Sequence, residues 1–163
     1  MGVGIPNWER ARRDMAGQII RLLSCPTCGS EDIAVQCLLD RDGFPPGQPE
    51  HAITYSHVAL VFCGACRGGH VEDLRHDCFD IEDVFDEYEW YVLDSSDMSR
   101  LSGLLEGCPL PLEPDCTCSV HCSLRASCRE LPKEPWSTGL EGARHVRQVT
   151  LIIDQGRPSL NLK

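Results

Sequence analysis

The chain lacks most of what would mark a membrane protein, a nucleic-acid binder or a familiar enzyme. No apolar run approaches the roughly 18 residues of a membrane-spanning helix. The opening Met-Gly-Val-Gly-Ile-Pro-Asn-Trp-Glu-Arg has neither the apolar core nor the cleavage pattern of an export signal. Cations are scarce: 15 Lys plus Arg stand against 25 Asp plus Glu in 163 residues, a formal net charge of -10. That sign opposes a protein that grips phosphates by charge. There is no phosphate loop, dinucleotide fingerprint, Gly-x-Ser-x-Gly, His-Glu-x-x-His or deaminase pattern. Apolar residues make up 42%, but with the 11 cysteines set aside the share falls to about 35%, a thin core for one domain. Leu, Val and Ile are nevertheless spread along the whole chain, which argues against disorder.

Cysteine is what the chain has in excess: Cys25, Cys28, Cys37, Cys63, Cys66, Cys78, Cys108, Cys116, Cys118, Cys122 and Cys128. An odd number without an export signal points to metal ligands and buried thiols rather than disulfides, and to the cytoplasm.

Residues 7–23 read as a helix, with Asn7 as cap and Trp8, Arg12, Met15, Ile19 and Leu22 recurring at helical spacing. Its four arginines are expected to be a solvated face. Ile33 to Leu39 and Ala52 to Phe62 read as strands joined by the Pro/Gly-rich loop Arg41 to Glu50. A third strand is expected around His70 to Leu74 and another at Trp90 to Leu93. Ser95 or Ser96 is expected to cap a short helix containing Met98, Leu101, Leu104 and Leu105, closed by Gly107. A second helix is expected over Val120 to Leu131. Val146 to Ile153 and Ser159 to Leu162 should close as a hairpin about Asp154-Gln155-Gly156.

Two cysteine pairs carry the strongest signal. In Cys25-x2-Cys28 and Cys63-x2-Cys66 the two-residue spacer turns the chain back, so that both sulfurs face one point. Gly29 supplies the permissive backbone of the first turn. The 34 residues between the pairs suit a hairpin that returns the second turn beside the first. Over residues 23–75 this pattern resembles the zinc-ribbon family: Cys-Pro-Thr-Cys-Gly, strand, loop, strand, Cys-Gly-Ala-Cys. It departs from that family at Arg67, with Gly68 one residue later. The resemblance implies a three-stranded antiparallel sheet and one structural zinc on Cys25, Cys28, Cys63 and Cys66, a closed set without an open coordination position.

A second ligand cluster lies in Cys108, Cys116, Cys118, His121, Cys122 and Cys128, six donors within 21 residues, more than one tetrahedral ion takes. The expected set is Cys108, Cys116 and Cys118 with either His121 or Cys122, holding a second zinc. Cys37 and Cys78 are expected to be core thiols. His70, His76 and Cys78 with Asp73 and Asp77 are not read as an active site, the histidines being expected to be solvated, and His51 and His57 are read as surface residues.

Residues 71–97 hold 11 acids and one base, Arg75, around several aromatics. A protein-binding surface is expected there, with Glu82, Asp83, Asp86 and Glu87 steering a basic partner and Tyr88, Trp90 and Tyr91 as anchors.

The expectation is an α+β chain sharing one core: an N-terminal helix (1–24), a zinc ribbon (25–78), an acidic-aromatic strand and helix (79–107) and a cysteine-rich α/β part ending in a hairpin (108–163). Its expected role is non-enzymatic, as an inhibitor, an immunity-type protein or an adaptor. A zinc-ribbon protein of the transcription or nucleic-acid-binding class is the alternative.

Overall fold

The structure, a computed structural model, describes residues 20, 22–40, 53–80, 83–131 and 145–163, with the backbone alone at 40, 53–57, 74–80, 83–88 and 145. Six strands form one sheet in chain order: β1 (Ile33–Asp40), β2 (Ile53–Cys63), β3 (Gly69–Asp80), β4 (Asp83–Leu93), β5 (His145–Asp154) and β6 (Arg157–Leu162). Two helices, α1 (Ser95–Leu105) and α2 (Ser119–Glu130), lie between β4 and β5.

This corrects the expected architecture. Among the described residues there is no separate three-stranded ribbon beside an α/β part; one mixed sheet runs through both. Residues 7–19 of the expected first helix lie outside the described residues. At its end Ile20, Leu22 and Leu23 are not helical. Ile20 instead packs on Ala59 and Val61, and the Leu22 N–H donates to Glu72 Oε2 at 3.0 Å.

The strands from β1 to β4 pair antiparallel, each with its neighbour in sequence. β5 runs parallel to β4, with Trp90 opposite Val146. A parallel pair needs a long crossover, and here the crossover carries both helices. β5 and β6 then form a hairpin whose turn has positive φ at Gln155 and Gly156.

In β1 the register shifts between Val35 and Cys37, leaving Gln36 as an extra residue of the kind that forms a bulge. Strand alternation is therefore reset. Ile33 and Val35 pack with Ala59 and Val61, while Cys37 and Leu39 join the main core on the other face. That core includes Val58, Leu60, Val71, Tyr91 and Leu93 from the sheet, Met98 and Leu101 from α1, Leu124 and Cys128 from α2, and Leu151 and Leu160 from the closing hairpin.

The cap of α1 is Asp94, one residue before the expected serines. Its carboxylate accepts the Asp97 N–H at 2.9 Å and pairs with Lys163 at 3.2 Å. Met98 seats against Gly69, where a Cβ would come within 2.6 Å of the Met98 sulfur and 2.5 Å of the Val61 carbonyl. Glycine is required by that close approach.

Helix α2 touches both edges of the sheet. His121 Nε2 meets the Leu38 carbonyl of β1 at 3.1 Å, and Ser127 Oγ takes the Leu160 N–H of β6 at 2.6 Å. The helix therefore bridges the sheet's first and last strands and fills the seam between them.

Several of the acids expected at the surface are interior. Glu72, Asp73, Glu89 and Asp97 are buried. Glu72 accepts Trp90 Nε1–H at 2.7 Å, its directly opposite residue in β4. Glu89 accepts the Tyr91 hydroxyl, and Asp97 accepts the Leu151 N–H at 2.9 Å. Trp90 and Tyr91 are 5% and 0% exposed, so the expected anchors are core residues. A carboxylate inside a sheet needs donors, and these aromatics help to supply them, Trp90 across the strands to Glu72 and Tyr91 along β4 to Glu89. Glu82 and the side chains of Asp83, Asp86, Glu87 and Tyr88 lie outside the described residues.

His70 is wholly buried on β3, with neither ring nitrogen hydrogen-bonded. Burial lowers its pKa from 6.5 to about 4. The unfolded chain therefore takes up this proton first as the pH falls. The stabilisation from keeping His70 neutral is complete above pH 6.5 and is lost progressively down to about pH 4, in all about 3 kcal/mol. Denaturant midpoints between pH 7.5 and 5.5 are expected to fall more steeply for the wild type than for His70→Leu. Parallel slopes for the two proteins would contradict this.

Candidate metal centres

The first cysteine pair lies on the turn before β1, and the second on the turn between β2 and β3. The register sets Ile33 opposite Cys63, so the two turns emerge at one end of the sheet. They are built alike. The N–H of Gly29 donates to the Cys25 carbonyl at 2.8 Å, and that of Arg67 to the Cys63 carbonyl at 3.0 Å. The Cys25 N–H donates to the Ser30 carbonyl at 2.8 Å, and the Cys63 N–H to the Gly68 carbonyl at 2.9 Å. Both turns close through a left-handed residue, Gly29 at φ 76° and Arg67 at φ 64°. Arg67 thus adopts the conformation that glycine holds in the first turn. A side chain there costs about 1–2 kcal/mol, partly offset where its guanidinium lies over the Phe62 ring at 4.8 Å.

These turns bring four sulfurs together. Cys25 Sγ lies 3.7 Å from Cys66 Sγ and Cys28 Sγ lies 3.6 Å from Cys63 Sγ, and all four lie within 4.8 Å of one another. Four sulfurs placed 2.3 Å from one tetrahedral ion would stand about 3.8 Å apart, close to the two spacings of 3.7 and 3.6 Å, so the group suits a zinc-sized ion. Cys25 and Cys63 are buried, Cys66 is half-buried and Cys28 is exposed. Burial pushes the Cys25 thiol up, but the N–H groups of Cys28 and Thr27 and the facing thiols outweigh it and hold the pKa at about 7. The Gly68 N–H favours the Cys66 thiolate, yet burial and the three neighbouring thiols carry its pKa to about 12. A cation at the centre would relieve that crowding.

The second group is Cys108, Cys116, Cys118 and His121. Cys108 follows the end of α1, where its N–H donates to the Leu105 carbonyl at 2.9 Å. Cys116 lies in the linking loop. Cys118 caps α2, its sulfur accepting the His121 N–H at 3.4 Å, so that sulfur sits at the positive end of the helix dipole. Its pKa is lowered: burial raises it, but the N–H groups of His121 and Val120 and the adjoining thiols prevail. Cys108, more constrained by burial and by the same thiols, is pushed up to about 12.

Cys108 Sγ lies 3.8 Å from Cys116 Sγ and 3.4 Å from Cys118 Sγ. His121 Nδ1 lies 3.2 Å from Cys108 Sγ and 3.6 Å from Cys118 Sγ. Sulfur and nitrogen on one tetrahedral zinc stand about 3.6 Å apart. The imidazole is fully buried, and its other nitrogen is engaged with the Leu38 carbonyl. A histidine ligand oriented by a backbone carbonyl in this way has its tautomer fixed and its ligating nitrogen directed at the metal. Burial lowers the His121 pKa, which keeps the ring in the neutral form a metal needs.

Of the two fourth ligands left open by the sequence, the structure gathers His121 and excludes Cys122, which is exposed and turned toward the Thr117 carbonyl. Helical periodicity separates them. His121 shares its face with Leu124, Cys128 and Leu131, all buried, while Cys122 lies one residue, or about 100°, further round. Cys128 is in the core, and Cys37 is buried with its sulfur 3.6 Å from His121 Nε2. Its burial among the other thiols raises its pKa. The side chains of His76, Asp77 and Cys78 are outside the described residues, as are His51 and the His57 side chain. Sequence reasoning missed the Leu38 carbonyl, because no side-chain pattern marks a backbone acceptor.

The two groups make this a chain with the donor sets of a metal-binding protein. No family model, curated protein or solved structure matches it. Among the described residues no helix is long and apolar enough to cross a membrane.

Proposed function

We propose that the chain is a non-enzymatic protein with two structural zinc ions that acts by binding a basic protein partner, as an inhibitor, an immunity-type protein or an adaptor. The observation that carries this reading is that each group offers four donors within 4.8 Å of one another, two of them buried in the first group and three in the second. Four protein ligands leave no position for a reacting water, so such ions serve as a frame. Four-sulfur and three-sulfur-one-nitrogen sets select zinc over the harder cations that prefer oxygen. Seven thiolates on two dications add three negative charges to the formal -10, which favours a cationic partner and weakens the alternative of nucleic-acid binding. The alternative rests on the resemblance of the paired cysteine turns to zinc ribbons.

Native mass spectrometry is expected to find two zinc ions per chain. In a pull-down at low salt, the metal-loaded wild type should recover a basic protein that a folded variant carrying Glu82→Gln, Asp83→Asn, Asp86→Asn and Glu87→Gln recovers much less well, since steering acts through these charges. Equal recovery by both proteins would remove the acidic stretch from the proposal. Salt-sensitive binding to DNA or RNA by the wild type would favour the alternative.

A further inference from the structure

β1 lies at the edge of the sheet, and the outward backbone groups of Leu38 are not paired with another strand. The Leu38 N–H donates to the Pro111 carbonyl at 2.9 Å, and its C=O meets His121 Nε2 at 3.1 Å. Both partners belong to residues 108–121, the segment that carries all four donors of the second group. A neutral imidazole has one N–H. With that proton on Nε2, shared with Leu38, Nδ1 is left as a lone pair facing Cys108 and Cys118. Metal ligation and the bond to β1 therefore require the same tautomer and the same ring orientation.

Apart from Cys37 Sγ of β1, which lies 3.6 Å from the same Nε2, the other hydrogen bonds of the segment are local. Glu113 N–H donates to Leu110, Cys116 N–H donates to Glu113, and Arg125 Nη2 donates to the carbonyls of Pro114 and Cys116. At its far end α2 is fastened to β6 by Ser127, whose hydroxyl both accepts from and donates to the Leu160 backbone. Release of the segment can thus open the β1 side while the β6 side stays closed.

We propose that the metal of the second group is the clasp of the β1 edge, so that occupancy of Cys108, Cys116, Cys118 and His121 decides whether the outer edge of β1 is closed at Leu38. The inference rests on the two-zinc reading and extends it to a regulation of that site. An uncovered edge strand presents unpaired N–H and C=O groups to any other strand, and this one, Ile-Ala-Val-Gln-Cys-Leu-Leu-Asp, has no Lys or Pro to blunt it.

The pattern of pairing supplies an internal control. In an antiparallel ladder, successive residues point their N–H groups alternately toward and away from the partner. The Leu38 amide faces the segment, while those of Cys37 and Leu39 face β2. Amide exchange is measured by NMR on the full chain in three forms: wild type with two zinc ions, Cys116→Ser, and wild type stripped stepwise by a chelator and refilled with Co2+, whose absorbance reports thiolate ligation. Loss of the second metal is expected to accelerate exchange at Leu38 by 100-fold or more. Leu39, and Arg67 at the first group, should change by less than threefold, and refilling should restore Leu38. Loss of that metal without a change at Leu38 would overturn the clasp and leave the two-zinc reading intact. A wild type that binds one metal, with none lost in Cys116→Ser, would overturn both.

Discussion

Cys63→Ser is expected to lose one zinc and with it the fold of the end of the sheet where β1, β2 and β3 meet. Cys63 is 1% exposed and is both a donor of the first group and the last residue of β2, opposite Ile33. The two turns it helps to hold contain few apolar residues, and their order comes from the four sulfurs and the backbone bonds described above. Structural zinc supplies about 10–16 kcal/mol of apparent free energy in small zinc folds, comparable to the whole stability of a typical domain. Serine replaces a soft thiolate ligand with a hydroxyl that binds zinc far more weakly. Zinc content should fall by one per chain, and the amides of Gly29, Arg67 and Cys63 should lose protection. A Cys63→Ser protein with unchanged metal content and unchanged exchange would show that the first group is a set of ordinary thiols.

The second large effect is expected at Trp90. Removing an indole from a packed interior costs about 3–5 kcal/mol, and Trp90→Ala also takes from the buried Glu72 carboxylate the donor at 2.7 Å. Leaving a buried acceptor short of a partner costs about 1–3 kcal/mol more. For a chain of this length each kcal/mol moves the melting temperature by about 2–4 °C, so Trp90→Ala should melt about 8 °C or more below the wild type. Trp90→Phe, which keeps much of the volume but not the N–H, should fall between the two. Calorimetry on the three proteins separates a core residue from a binding anchor. An anchor would leave the melting temperature in place and change only the dissociation rate of a partner.

The contrast between these two sites explains what could be read from the chain. Cys25, Cys28, Cys63 and Cys66 were legible because a two-residue spacer fixes local geometry whatever surrounds it. The short strand–turn–strand of 145–162 and the two helices were legible for the same reason, their signals being contained within a dozen residues. Trp90 was misread because its role depends on register. Only when β3 and β4 are aligned does Glu72 stand opposite it, and then a run of acids and aromatics that resembles a solvated surface proves to be partly a set of buried donor–acceptor pairs. The parallel pairing of β4 with β5 was equally hidden. It joins Trp90 to Val146 across a crossover, and no local pattern announces which strand a distant segment will join. His121 sits between these cases: its type and spacing were seen, but the choice over Cys122 required the helical face.

The seam that α2 fills sets an order on how the chain can fold. From β1 to β4 every strand pairs with the one just made, and a metal on the first group would join the turns at the two ends of the first hairpin. The sulfur contacts of the first group span 35 and 41 residues and need nothing beyond Cys66, so they can form on a chain still being synthesised. Closing the seam is different: Leu38 must wait for His121, 83 residues later, and β4 must wait for β5. Until residue 121 is available, β1 has no closing group at Leu38, so a chain stopped after β4 would carry its first metal and an open edge at the same time. Mixed at high concentration, such chains should associate through β1, whereas the full chain, once its second group is filled, should remain apart.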